Sequence, residues 1–244
     1  MAPTGFSKLL LDVLFPKICQ HCGDAFKNGL SNILCGSCFD SISPYEDPVC
    51  DHCGISLPAR AFEGSLLLRC RDCGEETYFL DRVRAVGPYE GSLRIAHHGF
   101  KFEGMEKLGH AIGKKMLVSI PSPFWEGVEA LVPVPLSAER ERERGYNPST
   151  LLAGEISEII QVPARPLVKK ARPTLPQMSL SKEARLKNPK GAYQWNGPAP
   201  VPGKVILVDD VFTTGATLEE CARVLKKAGV QWVGAVVFGR TPHR

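Results

Sequence analysis

From residue 81 onward, short apolar runs and helical stripes take turns along the chain. Residues 81–90 alternate in the manner of a strand. A helix is predicted over 105–118, where Leu108, Ile112 and Met116 keep near-helical spacing. Residues 130–136 read as a core strand with its prolines at the end. A second helix over 149–160 should pack through Leu151, Leu152, Ile156 and Ile159. Val205, Ile206, Leu207 and Val208 form an uninterrupted run, the mark of a parallel strand buried on both faces. The helix that follows carries Leu218, Cys221, Val224 and Leu225 on one side and stops at Gly229. Thr217 is its expected N-cap, with Glu220 completing a capping box. A last buried strand is expected over 231–238. This order predicts the α/β class, with a central, mainly parallel sheet.

Two stretches break the pattern. Residues 5–15 make at most a short amphipathic helix ended by Pro16, with too few basic residues for a membrane-surface helix. Between 169 and 190, seven basic residues stand against the single acid Glu183, with three prolines and no apolar period. That composition predicts an extended, mobile basic segment.

The totals add little beyond exclusions. With 244 residues, 43% hydrophobic and 23% charged, the chain has room for one α/β domain and a small module. A net charge of +4 does not by itself argue for nucleic acid. No apolar stretch is long enough to span a bilayer, and the N-terminus lacks the secretory arrangement, so a cytoplasmic location without membrane insertion is expected.

Cysteine changes the picture. Eight of the nine cysteines precede residue 74, as four Cys-x-x-Cys pairs: Cys19/Cys22, Cys35/Cys38, Cys50/Cys53 and Cys70/Cys73. Each pair can offer two thiolates to a tetrahedral Zn²⁺, and two pairs close a Cys₄ site. Four pairs in tandem read as a double zinc ribbon holding two structural zinc ions, rather than as a redox-active dithiol. Sequential pairing is simplest, and an interleaved one is compatible with the spacing. His21 and His52, inside the knuckles, read as exposed loop residues. The expected division is 1–78 for the N-terminal helix and ribbons, and 79–244 for the α/β domain, in which zinc serves the small module as its core.

Candidate chemistry in the α/β part centres on residues 205–217. The apolar run is followed by Asp209 and Asp210, where the strand should end, and then by the small turn Thr213, Thr214, Gly215, Ala216, Thr217. A turn that opens a helix offers unpaired N–H groups and a positive dipole end to a phosphate. Two carboxylates beside it suit the hydroxyls of a ribose 5-phosphate. No Gly-Lys-Ser/Thr and no Gly-x-Gly-x-x-Gly is present, which excludes a Walker loop and a dinucleotide fingerprint. Lys101, at the end of a His97–His98 segment, is a candidate anion contact. The two histidines read as structural or surface groups. Arg140 and Arg144 share a face if their segment is helical, and Arg144, beside Gly145, is the more functional in appearance.

The 205–217 stretch resembles the phosphoribosyl diphosphate (PRPP) signature of type I phosphoribosyltransferases. With the Cys-x-x-Cys series, residues 131–136, 144–147, Gln177 to Leu180 with Arg185 and Asn188, and 191–193, nearly the whole chain resembles the ComF family. Pro148 departs from it, standing where glutamine is expected. The resemblance implies a double zinc ribbon joined to a type I phosphoribosyltransferase-like domain. It also implies a PRPP site in which the 213–217 turn holds the 5-phosphate and Asp209 and Asp210 accept from the ribose hydroxyls, directly or through Mg²⁺. Mg²⁺, Arg144, Lys101 and Arg185 would offset charge on the pyrophosphate, under a hood formed by the basic segment. By family the role is in natural competence, with an unspecified phosphoribosyl acceptor. The competing reading is a non-catalytic adaptor that binds single-stranded DNA or a competence-machinery protein, with PRPP as a regulatory ligand.

Overall fold

The computed structural model of the protein describes residues 16–26, 29–58, 68–74, 77–102, 106–174, 184 and 188–241. The expected 5–15 helix, most of the basic segment and Arg185 lie outside them. Four strands form the central sheet: β3 (Arg82–Pro88), β4 (Ala130–Pro133), β7 (Lys204–Phe212) and β8 (Trp232–Arg240), all parallel, in the order β3-β8-β7-β4. A two-residue hairpin, β1 (Lys17–Ile18) with β2 (Ala25–Phe26), belongs to the first ribbon. Another hairpin, β5 (Val168–Lys170) with β6 (Tyr193–Trp195), brackets the basic segment.

The apolar runs are continuous because both faces of the sheet are covered. Against one face lie helices α2 (Gly91–Phe102), α3 (Glu106–Ser119) and α5 (Pro148–Ile160). Leu108, Ile112, Met116, Leu152 and Ile156 pack there on Leu131, Ile206, Val208 and Val236. Ile159 does not join them and is 49% exposed, contrary to its expected packing role. On the other face α6 (Ala216–Ala228) sets Leu218, Cys221, Ala222 and Leu225 over Val205, Leu207, Val233 and Ala235, beside the β5–β6 hairpin. Among the described residues no helix is long and apolar enough to cross a membrane.

The ribbons are joined to this body rather than hung from it. Leu34, Phe39 and Ile42, the latter two on and beside the short helix α1 (Gly36–Asp40), are buried in the same cluster as Phe100 and Leu108. The first ribbon therefore does have an apolar core, shared with the sheet layer, and zinc alone is not its core. Around the second ribbon Ile55, Leu57 and Tyr78 pack directly on the cysteines, as expected of a metal-centred module. Between the ribbons the chain runs along β3, where Tyr45 N–H donates to Val86 O (3.2 Å) and Val83 N–H to His52 O (2.6 Å). An open strand edge is thereby paired.

Two expected boundaries shift. β7 does not end before the aspartates. It outruns β4, which pairs only with residues 205–208, and stays hydrogen-bonded to β8 as far as Phe212 opposite Arg240. The capping box is absent: α6 starts at Ala216 behind Gly215, whose left-handed backbone (φ 75°) ends the turn without a side-chain cap. Glu220 instead accepts from Gly191 N–H (2.7 Å) and pairs with Arg223 (2.5 Å), tying the end of the basic segment to α6.

Candidate functional site

Asp209 and Asp210 lie on β7 beyond the reach of β4, where the sheet leaves room for chains from both sides. After β4 the chain enters α4 (Ala138–Arg144), capped by Ser137 and closed by Gly145 (φ 84°), and then the loop into α5. Asn147 builds that loop: its Oδ1 accepts from Ser149 N–H and its Nδ2 donates to Val134 O, both at 3.0 Å. Pro148 fits as the first helical residue, where no N–H is needed, so the departure from the family pattern costs the fold nothing. Ser149, one residue further, donates to Asp209 Oδ1 at 2.8 Å, and the Asp210 N–H donates to the same oxygen at 2.9 Å.

Asp210 faces α2. Lys101 Nζ donates to its Oδ2 at 2.8 Å, and His97 Nε2 stands 3.2 Å from that oxygen. The Tyr89 hydroxyl meets His97 Nδ1 at 2.8 Å. The buried imidazole thus stands between the Tyr89 hydroxyl on one side and the Asp210 carboxylate on the other. Tyr146 donates to the Phe100 carbonyl, which fastens the Arg144–Asn147 loop beside Lys101.

The two carboxyls differ in consequence. Burial pushes Asp209 up, the adjacent Asp210 charge adds to this, and its pKa reaches about 7. Burial also opposes the charge on Asp210, but Lys101 and His97 outweigh it and hold that carboxyl well below the usual carboxylate range. One oxygen on each aspartate remains outside these contacts.

The turn after them is tightly built. Gly215 lies under the Phe212 ring, and a Cβ there would sit 2.4 Å from that ring. Thr241 secures Phe212 O by its N–H (2.9 Å) and Thr213 O by its hydroxyl (3.3 Å). Thr214 Oγ1 accepts weakly from Ala216 N–H (3.4 Å), and Thr217 is hydrogen-bonded to the buried Tyr193 phenol. The first turn of α6 thus follows directly on the aspartates, and the space that a Cβ at Gly215 would need is taken by the Phe212 ring.

Structure therefore brings Asp209, Asp210, Lys101 and the 213–217 turn to one end of the sheet. Arg144 ends α4, half-buried, on the loop tied to α2. His97, expected to be structural or superficial, is buried and faces Asp210. A signal for it existed, because position 97 is one helical turn from Lys101. Nothing local announces Ser149.

The cysteines resolve into two groups, Cys19/22/35/38 and Cys50/53/70/73, with all sulfurs in each within 4.8 Å of one another. Sequential pairing holds. Tetrahedral Zn–S bonds of about 2.3 Å require sulfurs about 3.8 Å apart, and Cys22–Cys35 and Cys53–Cys70 measure 4.0 and 3.6 Å. The leading knuckles repeat one hydrogen-bond pattern: Cys19 N–H to Asp24 O and Gly23 N–H to Cys19 O, then Cys50 N–H to Ile55 O and Gly54 N–H to Cys50 O. Cys35 and Cys70 N–H groups donate to the sulfurs of Cys19 and Cys50, which favours thiolates. Two Cys₄ sites fit two structural zinc ions, closed to substrate. His52 corrects its expected exposure: it is buried, with its ring stacked 4.1 Å from Tyr78.

Comparisons with known proteins agree with this geometry. A double zinc ribbon domain matches residues 10–74, and a phosphoribosyl transferase domain matches 151–244. The second match includes the aspartates and the turn but not β3, α2 or Lys101. Competence protein F of Haemophilus influenzae is 31% identical over 224 residues, covering 87% of this chain and 92% of that protein. Competence protein ComFC of Bacillus subtilis is 29% identical over 80% of this chain and 79% of its own length. DNA utilization protein YhgH of Escherichia coli K12 is 29% identical over 79% of this chain and 84% of its own. With both domains in order and similarity along nearly its full length, the chain belongs to the ComF family.

Proposed function

We propose that the protein binds PRPP at the carboxyl end of β7 and β4 and serves the handling of DNA taken up by the cell. One observation carries the first part. Two anchored acidic side chains, each with an oxygen outside the contacts described above, stand directly before a turn that Gly215 ends without a side-chain cap at the start of α6. The 5-phosphate would take the first-turn amides of α6 and the hydroxyls of Thr213, Thr214 and Thr217. Ribose hydroxyls would donate to Asp209 and Asp210. A hard cation suits the same carboxylate oxygens, so Mg²⁺ fits here, and when bound it supplies charge neutralisation at the diphosphate. Lys101 acts through Asp210, keeping that carboxylate charged and aimed, rather than reaching the diphosphate. Arg144, with Arg185 of the basic segment, would meet the pyrophosphate and favour its departure in any transfer reaction. The names of the relatives support the second part, competence and DNA utilization.

Calorimetry with PRPP, with and without Mg²⁺, tests the site on wild type and on Asp209→Asn/Asp210→Asn. Mg²⁺-dependent binding that the double variant loses is expected. A folded, zinc-loaded wild type that takes up no PRPP would sink the reading. In that event the chain is better treated as an adaptor, and steeply salt-dependent binding of single-stranded DNA is the next measurement.

A further inference from the structure

The second ribbon and the phosphate turn are joined by one side chain that the mechanism above does not use. Arg240 ends β8 and is 1% exposed. A guanidinium stays charged at any ordinary pH, so burying one requires fixed partners. Its Nη1 donates at 2.7 Å to the carbonyl of Cys53, a ligand of the second zinc site. The Cζ lies 4.6 Å from the centre of the Phe212 ring, at cation–π distance. That ring in turn lies on Gly215 at the centre of the phosphate turn. Thr241, the next residue, holds the carbonyls of Phe212 and Thr213. On its far side the Cys50–Cys53 knuckle is pinned to β3, because Arg84 Nη1 donates to Asp51 O (3.2 Å) and Val83 N–H to His52 O. The stack is continuous: zinc knuckle, guanidinium, aromatic ring, turn.

We propose that Arg240 is a positioning residue through which the second zinc site sets the order of the 213–217 turn, and with it the affinity for a phosphate-bearing ligand. The last clause rests on the PRPP reading; the coupling itself does not. The knuckle carbonyl belongs to one of the four cysteines that would hold the second zinc, so metal bound there would fix its position. If the knuckle loosens, the buried guanidinium loses its acceptor, and the ring that shapes Gly215 loses its support. Coupling of this kind is reciprocal, so a ligand in the turn should slow loss of the second zinc.

Hydrogen exchange on the full-length, zinc-loaded protein reads the coupling without any ligand. Arg240→Gln should raise exchange across 212–218 roughly tenfold and speed zinc release from the second ribbon, with residues 17–26 unchanged. Arg240→Lys should behave like the glutamine variant, since one ammonium cannot both reach the carbonyl and spread over the ring. In wild type, partial chelation that loosens 48–58 should loosen 212–218 in step. Arg240→Gln should show no further change there. If Arg240→Gln does not fold, the wild-type chelation series decides alone: steady exchange at 212–218 while 48–58 opens overturns the proposal. PRPP titration separates the two readings. A roughly tenfold weaker Kd in Arg240→Gln is expected. Absence of PRPP binding in wild type, with the exchange coupling intact, removes the ligand and leaves the coupling standing.

Discussion

Asp209 and Asp210 are neighbours in the chain, but folding shifts their acidities in opposite directions. Asp210, with Lys101 and His97 against it, is held ionised. Its pKa is lowered by folding, so its contribution is present above the unfolded value near 4 and is lost as pH falls through the folded one. Asp209 is raised to about 7. Its contribution is full below the unfolded value and disappears as pH climbs through 7, where the folded state must carry an unfavoured charge. Adjacent isosteric substitutions should therefore have opposite signs. Asp210→Asn should destabilise the ligand-free protein at pH 7 by on the order of 2 kcal/mol, a buried-pair loss discounted for the partial exposure of Lys101. Asp209→Asn should raise the Tm, with a gain that is near zero at pH 4, grows up to about pH 8 and is level above it. Thermal melts across pH 4–9 check both; a Tm gain independent of pH would contradict the raised Asp209. The acidic pair was plain from its place after an apolar run. The difference between the two was not, because it comes from the burial of Asp209 and from Lys101, 109 residues away from Asp210.

At the scale of elements, the period of apolar residues foretold the sheet strands and α3, α5 and α6 to within a few residues. Where it failed, a tertiary partner had overridden a local signal. Val205–Val208 looked like a complete strand, yet β8 continues alongside and draws β7 on to Phe212. Thr217 and Glu220 had the spacing of a capping box, but Gly215 already ends the turn in a left-handed conformation and Glu220 serves Gly191. Gly215→Ala is accordingly a severe change, with both an unfavourable φ and a Cβ 2.4 Å from the Phe212 ring. It should cost roughly 2–4 kcal/mol by denaturant unfolding and abolish PRPP binding. Unaltered stability would show that the turn can relax and that its close packing is not required.

For the whole molecule, the first ribbon and the sheet layer share one apolar cluster. Phe39, 4% exposed, is in the cluster that includes Phe100 and Leu108. Phe39→Ala should cost about 3–5 kcal/mol, as for a large core truncation, in a single unfolding transition detected by probes in both parts. Separate transitions would show that the ribbon melts by itself. Metal analysis should find about two zinc ions per chain, as two Cys₄ sites require. Chelation should lower the unfolding midpoint of the sheet domain as well as that of the ribbons.

What the sequence determined alone was chemistry carried by short spacing. Two cysteines three residues apart can share a metal, and an acidic pair followed by a glycine turn and a helix carries the phosphoribosyltransferase resemblance, whatever surrounds them. Periodicity likewise named the class, because a strand covered on both faces must be apolar throughout. Tertiary structure decided which thiols share a metal, which aspartate keeps its charge, and where the first ribbon finds its core. It also set Arg240 against Cys53, 187 residues away. These outcomes depend on which groups leave water together. Burial magnifies every charge and every unmet hydrogen bond, and distance along the chain says nothing about who will be buried with whom.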